Sequence, residues 1–166
     1  YIATASFVVE REFGYTAGAF ALVFGPNAAV ICASNLLFRR LVRTRHPRTL
    51  LGLGLAAALL GGECLAATAA THGPPGLLWG ASTLFAAGIG FVLPGAHSWG
   101  QLSRLQSGAS SALTGAAQFF GGVLGSPVTG LIGPTALSLG LIIVVSSVLA
   151  IIAWRVAARA HLRVRA

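Results

Sequence analysis

Apolar residues along this chain come in long blocks, unlike the short amphipathic runs of a soluble helical bundle. Residues 136–154 contain no charged residue, which meets the roughly 18-residue criterion for a helix that crosses a membrane. Four further blocks have similar reach: about 19–38, 50–71, 77–99 and 109–132. A sixth, at residues 1–9, is too short to cross, since crossing takes about 20 residues. Polar segments separate the blocks. Glu10-Arg11-Glu12 ends the first and leads into a loop with Gly14 and Gly18, and His72-Gly73-Pro74-Pro75-Gly76 is a turn signal. Gln101–Ser107 is a polar connector, and Gly133-Pro134 ends the fifth block. Pro26 and Asn27 interrupt the second block, and Pro127 breaks the fifth. The pattern predicts an all-α membrane protein with a truncated first helix and five complete transmembrane helices.

Composition strengthens this expectation. Hydrophobic residues make up 55% of the chain and charged residues 8%, against roughly 25% charged in an ordinary soluble domain. The net charge of +8 comes from arginine, but no basic face with interleaved aromatics appears, so nucleic acid is not an expected partner. The arginines lie between apolar blocks, where they meet anionic lipid headgroups. Arg39, Arg40, Arg43, Arg45 and Arg48 share one loop, Arg104 lies in another, and Arg155, Arg159, Arg163 and Arg165 end the chain. Loops alternate sides, so all of these fall on one side and only Arg11 on the other. The positive-inside rule makes the arginine-rich side, and with it the C-terminus, cytoplasmic.

Cys32 and Cys64 fall inside apolar blocks and read as small packing residues; no metal or cofactor pattern is present. No signal peptide is evident either. The chain starts inside apolar sequence without a Met, which suggests a fragment of a longer protein. Glycine is frequent, and Gly121 and Gly125 form a G-x-x-x-G pair extended by Ser126 and Gly130. That pair predicts a helix-packing seam more sensitive to substitution than Gly140, with Pro127 favouring a bend.

Few polar groups lie inside the blocks. Glu63 is the only carboxylate there, and carboxylates within membranes often mark proton or ion pathways. Asn27 and Gln118 are amides able to hold either a ligand's polar group or a neighbouring helix. Gln118 adjoins Phe119 and Phe120, whose aromatic faces suit an apolar ligand. Phe24, Phe85 and Phe91 are weaker candidates for ligand contact. Trp79, Trp99 and Trp154 sit at block ends, where indoles anchor at the membrane interface. His97 lies beside the Pro94-Gly95 break, which suits an interfacial role.

In order, these stretches resemble the C-terminal half of a major facilitator superfamily drug exporter, of the bicyclomycin-resistance and chloramphenicol-efflux (Bcr/CflA) type. Tyr1-Ile2 with Phe7-Val8, then Phe13-Gly14, resembles the seventh span and the loop after it. Phe20-x-Leu22-x-Phe24-x-x-Asn27-Ala28 resembles the eighth, and Arg40-Leu41-x-Arg43 with Pro47-Arg48 resembles the cytoplasmic loop that follows. Gly90-Phe91-Val92-Leu93-Pro94 resembles the end of span ten. Gly108-Ala109-Ser110-Ser111-Ala112-Leu113-x-Gly115-x-x-Gln118-Phe119 resembles the start of span eleven and is the most specific stretch. Two positions depart from the family pattern: Gly95-Ala96-His97 stands where Asn-Ala is usual, and Ser6 where Pro is common.

The resemblance implies one transmembrane bundle over residues 1–166, built from two three-helix repeats at 1–71 and 77–160. It implies a partner half of six spans with a central cavity between the halves, so that spans nine and twelve are peripheral. On this footing the protein is not an enzyme but part of a proton-coupled antiporter exporting small amphipathic compounds from the plasma membrane. Gln118, Phe119, Asn27 and Phe24 would contact substrate. Glu63 is the one residue offered for proton coupling, although span nine lies away from the cavity. Arg40 and Arg43 would help to close the cytoplasmic side. A membrane enzyme would need a convergent polar constellation, which scattered His and a lone intramembrane Glu do not supply. The rival reading is a structural or scaffold membrane protein without a transported substrate.

Overall fold

The computed structural model describes residues 17–101, 107–133 and 135–163, with Ala5, Val8 and Gly14 before them. Most of the first apolar block, its loop with Glu10, Arg11 and Glu12, and Arg104 lie outside the described residues. Every regular element among the described residues is a helix. In chain order they are α1 (Ala17–Leu41), α2 (Pro47–Ala70), α3 (Pro75–Gly100), α4 (Ser107–Ile132) and α5 (Ala136–Arg163). Three are long and apolar enough to cross a membrane: Pro47–Ala70, Pro75–Gly100 and the Ala136–Arg159 part of α5. At about 1.5 Å per residue, α2 reaches about 36 Å, beyond the roughly 30 Å of a bilayer's hydrocarbon.

Local chemistry sets the helix ends. Pro47 and Pro75 occupy first-turn positions, where a missing N–H costs nothing. His46 caps α2, its Nδ1 accepting from the Arg48 backbone N–H at 3.2 Å. At the other end of α2, Gly73 N–H reaches Thr68 O at 2.9 Å and His72 N–H reaches Ala69 O at 3.2 Å. That pair of bonds is a Schellman stop, with His72 at a φ of 49° in the position glycine usually fills. At the start of α5 the Ser138 amide donates to the Thr135 hydroxyl at 3.1 Å and the Thr135 amide to the Ser138 hydroxyl at 3.0 Å, a capping box.

The interruptions expected at Pro26 and Pro127 do not occur. Proline 26 lies inside α1, Pro94 inside α3, and α4 continues through position 127. Each proline removes one intrahelical bond, a loss that transmembrane helices tolerate when neighbouring groups satisfy the freed carbonyl.

Contacts give the helix directions. Leu51 faces Gly95, Gly54 faces Phe91 and Gly61 faces Phe85, so α2 and α3 are antiparallel. Gly52 meets Trp154, Gly62 meets Ile143 and Ala66 meets Gly140, so α5 also runs against α2. Asn27 pairs with Ser82, Ser34 with Gly90 and Phe38 with Phe91, so α1 lies parallel to α3. The central helix of the described bundle is therefore α2, between α3 and α5, with α1 on the far side of α3. The helix pair with the most extensive packing joins the two expected repeats across the His72–Gly76 turn.

Small residues permit this packing. A Cβ on Gly61 would lie 2.5 Å from the Phe85 nitrogen, and one on Gly88 would lie 2.5 Å from the Ala58 nitrogen. Only glycine lets these backbones approach so closely. Among the described residues nothing lies within 4 Å of a Cβ placed on Gly121, while a Cβ on Gly140 would sit 2.6 Å from the Ala66 nitrogen. Within the described bundle, Gly140 and not Gly121 is the close-contact position. The surroundings of Gly125, Ser126 and Pro127 lie outside the described residues.

Candidate functional site

The helix directions gather the basic loop and the tail. The C-terminal ends of α1, α3 and α5 and the N-terminal end of α2 lie at one end of the bundle. Arg39, Arg40, Arg43, Arg45 and Arg48 therefore share that end with Arg155 and Arg159. Arg40 closes α1 and Arg43 lies in the turn after it, both exposed.

Asn27 lies in the α1–α3 contact and is 2% exposed. Its Nδ2 donates to Ser82 Oγ at 3.0 Å, and its Oδ1 lies 2.8 Å from the Thr83 hydroxyl. Thr83 Oγ1 is also 2.9 Å from Trp79 O, so its single proton serves one acceptor or the other. Ser82 donates to Trp79 O at 2.9 Å while accepting from Asn27. The Asn27 amide is thus held between helices, its NH2 by the Ser82 hydroxyl and its oxygen within reach of the Thr83 hydroxyl. This matters because an unpaired amide in an apolar interior costs a few kcal/mol. Phe24, about one turn earlier, is half-buried. The partners Ser82 and Thr83 carry no signal in the local sequence, since they lie 55 and 56 residues from Asn27.

Gln118 and Phe119 are in different surroundings. Both are exposed on α4, with Phe119 at 80%. Leu113, Phe120, Val123 and Leu131 are exposed on the same helix. Against α3 and α5, α4 packs only sparsely. A helix that is apolar around its circumference is expected to be covered by lipid or by other helices. The helices that carry Asn27 and Gln118 do not pack extensively against each other, so the candidate substrate residues fall in two groups. Phe85 is buried in the core beside Ala58, Leu65 and Leu78, whereas Phe91 meets Phe38 edge-on, with ring centroids 6.0 Å apart.

Glu63 lies on the exposed face of α2, as do Leu53 and Leu60. It makes no salt bridge among the described residues. Trp79 packs on the core, and Trp154 packs against Gly52 with the Arg48 guanidinium 5.9 Å from its ring centre. The Trp154 contact joins two residues that the sequence marks separately, one as a topological charge and one as an interfacial anchor.

Comparison with known proteins adds one relative. The chain is 25% identical over 155 residues to the uncharacterized MFS-type transporter YdgK of Bacillus subtilis (strain 168), covering 93% of this chain and 39% of that protein. It thus spans about two-fifths of the relative's length. No family model matches, and no solved structure matches. The apolar helices and this similarity together support a membrane protein.

Proposed function

We propose that this chain is the C-terminal six-helix half of a twelve-span major facilitator transporter. The whole protein exports small amphipathic compounds in exchange for protons, in the manner of the Bcr/CflA type. The observation that carries this reading is the similarity to an MFS-type transporter along 93% of the chain. The exposed apolar surface of α4 agrees with it, because that helix lacks cover over most of its length.

In this reading residues 1–71 and 77–160 are the two three-helix repeats, and α4 faces the other half of the transporter across a central cavity. Gln118 offers one amide donor side and one acceptor side to varied ligands, and Phe119 adds apolar area beside it. Asn27 and Phe24 belong to the helix that would flank the cavity, with Asn27 serving first to hold α1 on α3. Glu63 is an intramembrane carboxylate, but it lies on the exposed face of α2 and away from the proposed cavity, so most of the proton coupling falls to groups in the other half. The arginine-rich end is cytoplasmic in the plasma membrane, with the C-terminus inside and Arg40 and Arg43 closing that side. The rocking of one half against the other would perform transport, not a chemical reaction.

The test is an efflux profile across several chemically distinct amphipathic compounds, measured with the full-length protein. Gln118→Ala changes the range of compounds exported at normal membrane expression, while Glu63→Gln leaves export largely intact. An unchanged profile for the first, with export abolished by the second, reverses the ranking of the two residues.

A further inference from the structure

At the arginine-rich end, α2 and α5 enclose a half-open groove of about 540 Å³. It is lined by His46, Arg48, Thr49, Gly52, Leu53 and Trp154. We propose that this groove holds the phosphate headgroup of an anionic glycerophospholipid, with the start of an acyl chain along Leu53. The proposal depends on the membrane setting of α2 and α5, and not on the transport reading.

Polarity is graded along the groove in the way such a lipid requires. His46, Arg48 and Thr49 form the outer rim, and Leu53 lies about 7.5 Å further toward the membrane centre, five residues along the helix. Arg48 makes no ion pair among the described residues; its guanidinium lies 5.9 Å from the centre of the Trp154 ring. A cation–π contact of this kind keeps the guanidinium near the ring and leaves its edge N–H groups to bind phosphate oxygens. The ring itself is held by Gly52, where a Cβ would lie 2.9 Å from Trp154 Cζ2. Glycine at that position is therefore part of the floor.

Two features distinguish the groove from a bare helix N-terminus. The amides of Arg48 and Thr49 are already used, by His46 Nδ1 at 3.2 Å and His46 O at 3.0 Å, so side chains must do the binding. Because His46 Nδ1 accepts, its ring proton is on Nε2, which makes that nitrogen a donor. Trp154 Nε1 is also buried with no acceptor, the only such side-chain nitrogen or oxygen among the described residues. A headgroup rich in oxygens supplies an acceptor for it. Arg155 and Arg159, exposed on the same end of α5, add positive potential that draws anionic lipid.

The experiment measures binding of phosphatidylglycerol and phosphatidylcholine to the full-length protein by native mass spectrometry, with inorganic phosphate as a competitor. Wild type retains phosphatidylglycerol over phosphatidylcholine. Arg48→Gln lowers that retention at least about fivefold, the effect of one interfacial arginine. Trp154→Phe also lowers it, and Arg45→Gln, which alters an exposed arginine outside the groove, changes it less than twofold. In parallel, a photoreactive phosphatidylglycerol added to unmodified protein crosslinks to the segments around residues 46–53 and 154, a readout independent of variant folding. Equal losses for Arg48→Gln and Arg45→Gln mean diffuse surface attraction and overturn the site. Displacement by inorganic phosphate at equal concentration makes the ligand free phosphate and overturns the lipid. Crosslinks confined to other segments overturn it as well.

Discussion

The Asn27 side-chain amide donates to the Ser82 hydroxyl across 3.0 Å, tying α1 to α3 through residues 55 positions apart. Lipid offers no hydrophobic drive between helices, so such a bond matters together with the small residues around it. Ser34 against Gly90 continues the same contact toward the arginine-rich end, and Phe38 against Phe91 completes it.

A double-mutant cycle measures this tie. Asn27→Ala and Ser82→Ala each destabilise the full-length protein in detergent, and their combination is less than additive, with a coupling of about 0.5–1.7 kcal/mol. Thermal or denaturant unfolding reads the effect. Strict additivity contradicts a direct bond between the two.

Glycine positions separate the packed helices from the open one. Gly140→Ala forces a methyl toward the Ala66 backbone, where the available distance is 2.6 Å. Overpacking of this kind costs about 1–3 kcal/mol, so the melting temperature falls. Gly121→Ala meets nothing within 4 Å among the described residues and leaves the isolated helix more stable by up to about 1 kcal/mol. Thermal stability of the two variants in detergent checks the order; a larger loss at Gly121 would falsify the seam between α2 and α5.

Sidedness is tested by cysteine labelling in intact cells. A single cysteine replacing Arg45, in a protein cleared of Cys32 and Cys64, stays unlabelled by an impermeant reagent until the membrane is opened. One replacing His72, at the opposite end of α2, is labelled at once. Outside labelling at position 45 inverts the assignment.

The helix extents were legible because breakers and charges bound each apolar block. The expected turn at His72–Gly76 matches a helix that stops at Ala70 and another that starts at Pro75. Pro26 and Pro94 were harder to read, since a proline breaks a helix in water far more readily than one supported by neighbouring helices. The roles open to Asn27 could not be separated from its own neighbourhood, because Ser82 and Thr83 reach it only through the fold. Gly54 and Gly61, two turns apart on one face, did carry a local signal of close packing. The pair at Gly121 and Gly125 has the better-known spacing, yet its helix packs most sparsely within the described bundle. The Arg48–Trp154 contact depends on α2 and α5 running in opposite directions, which no local pattern encodes.

The most direct test of the transport account is movement of a compound by the purified full-length protein in sealed vesicles. A fluorescent amphipathic cation is present at equal concentration on both sides, and a proton gradient is imposed. The account predicts transport against the dye's own gradient, stopped by a protonophore and altered in selectivity by Gln118→Ala. Dye flux that is the same with and without the protein across a panel of such compounds, while the protein remains folded in the membrane, would contradict it.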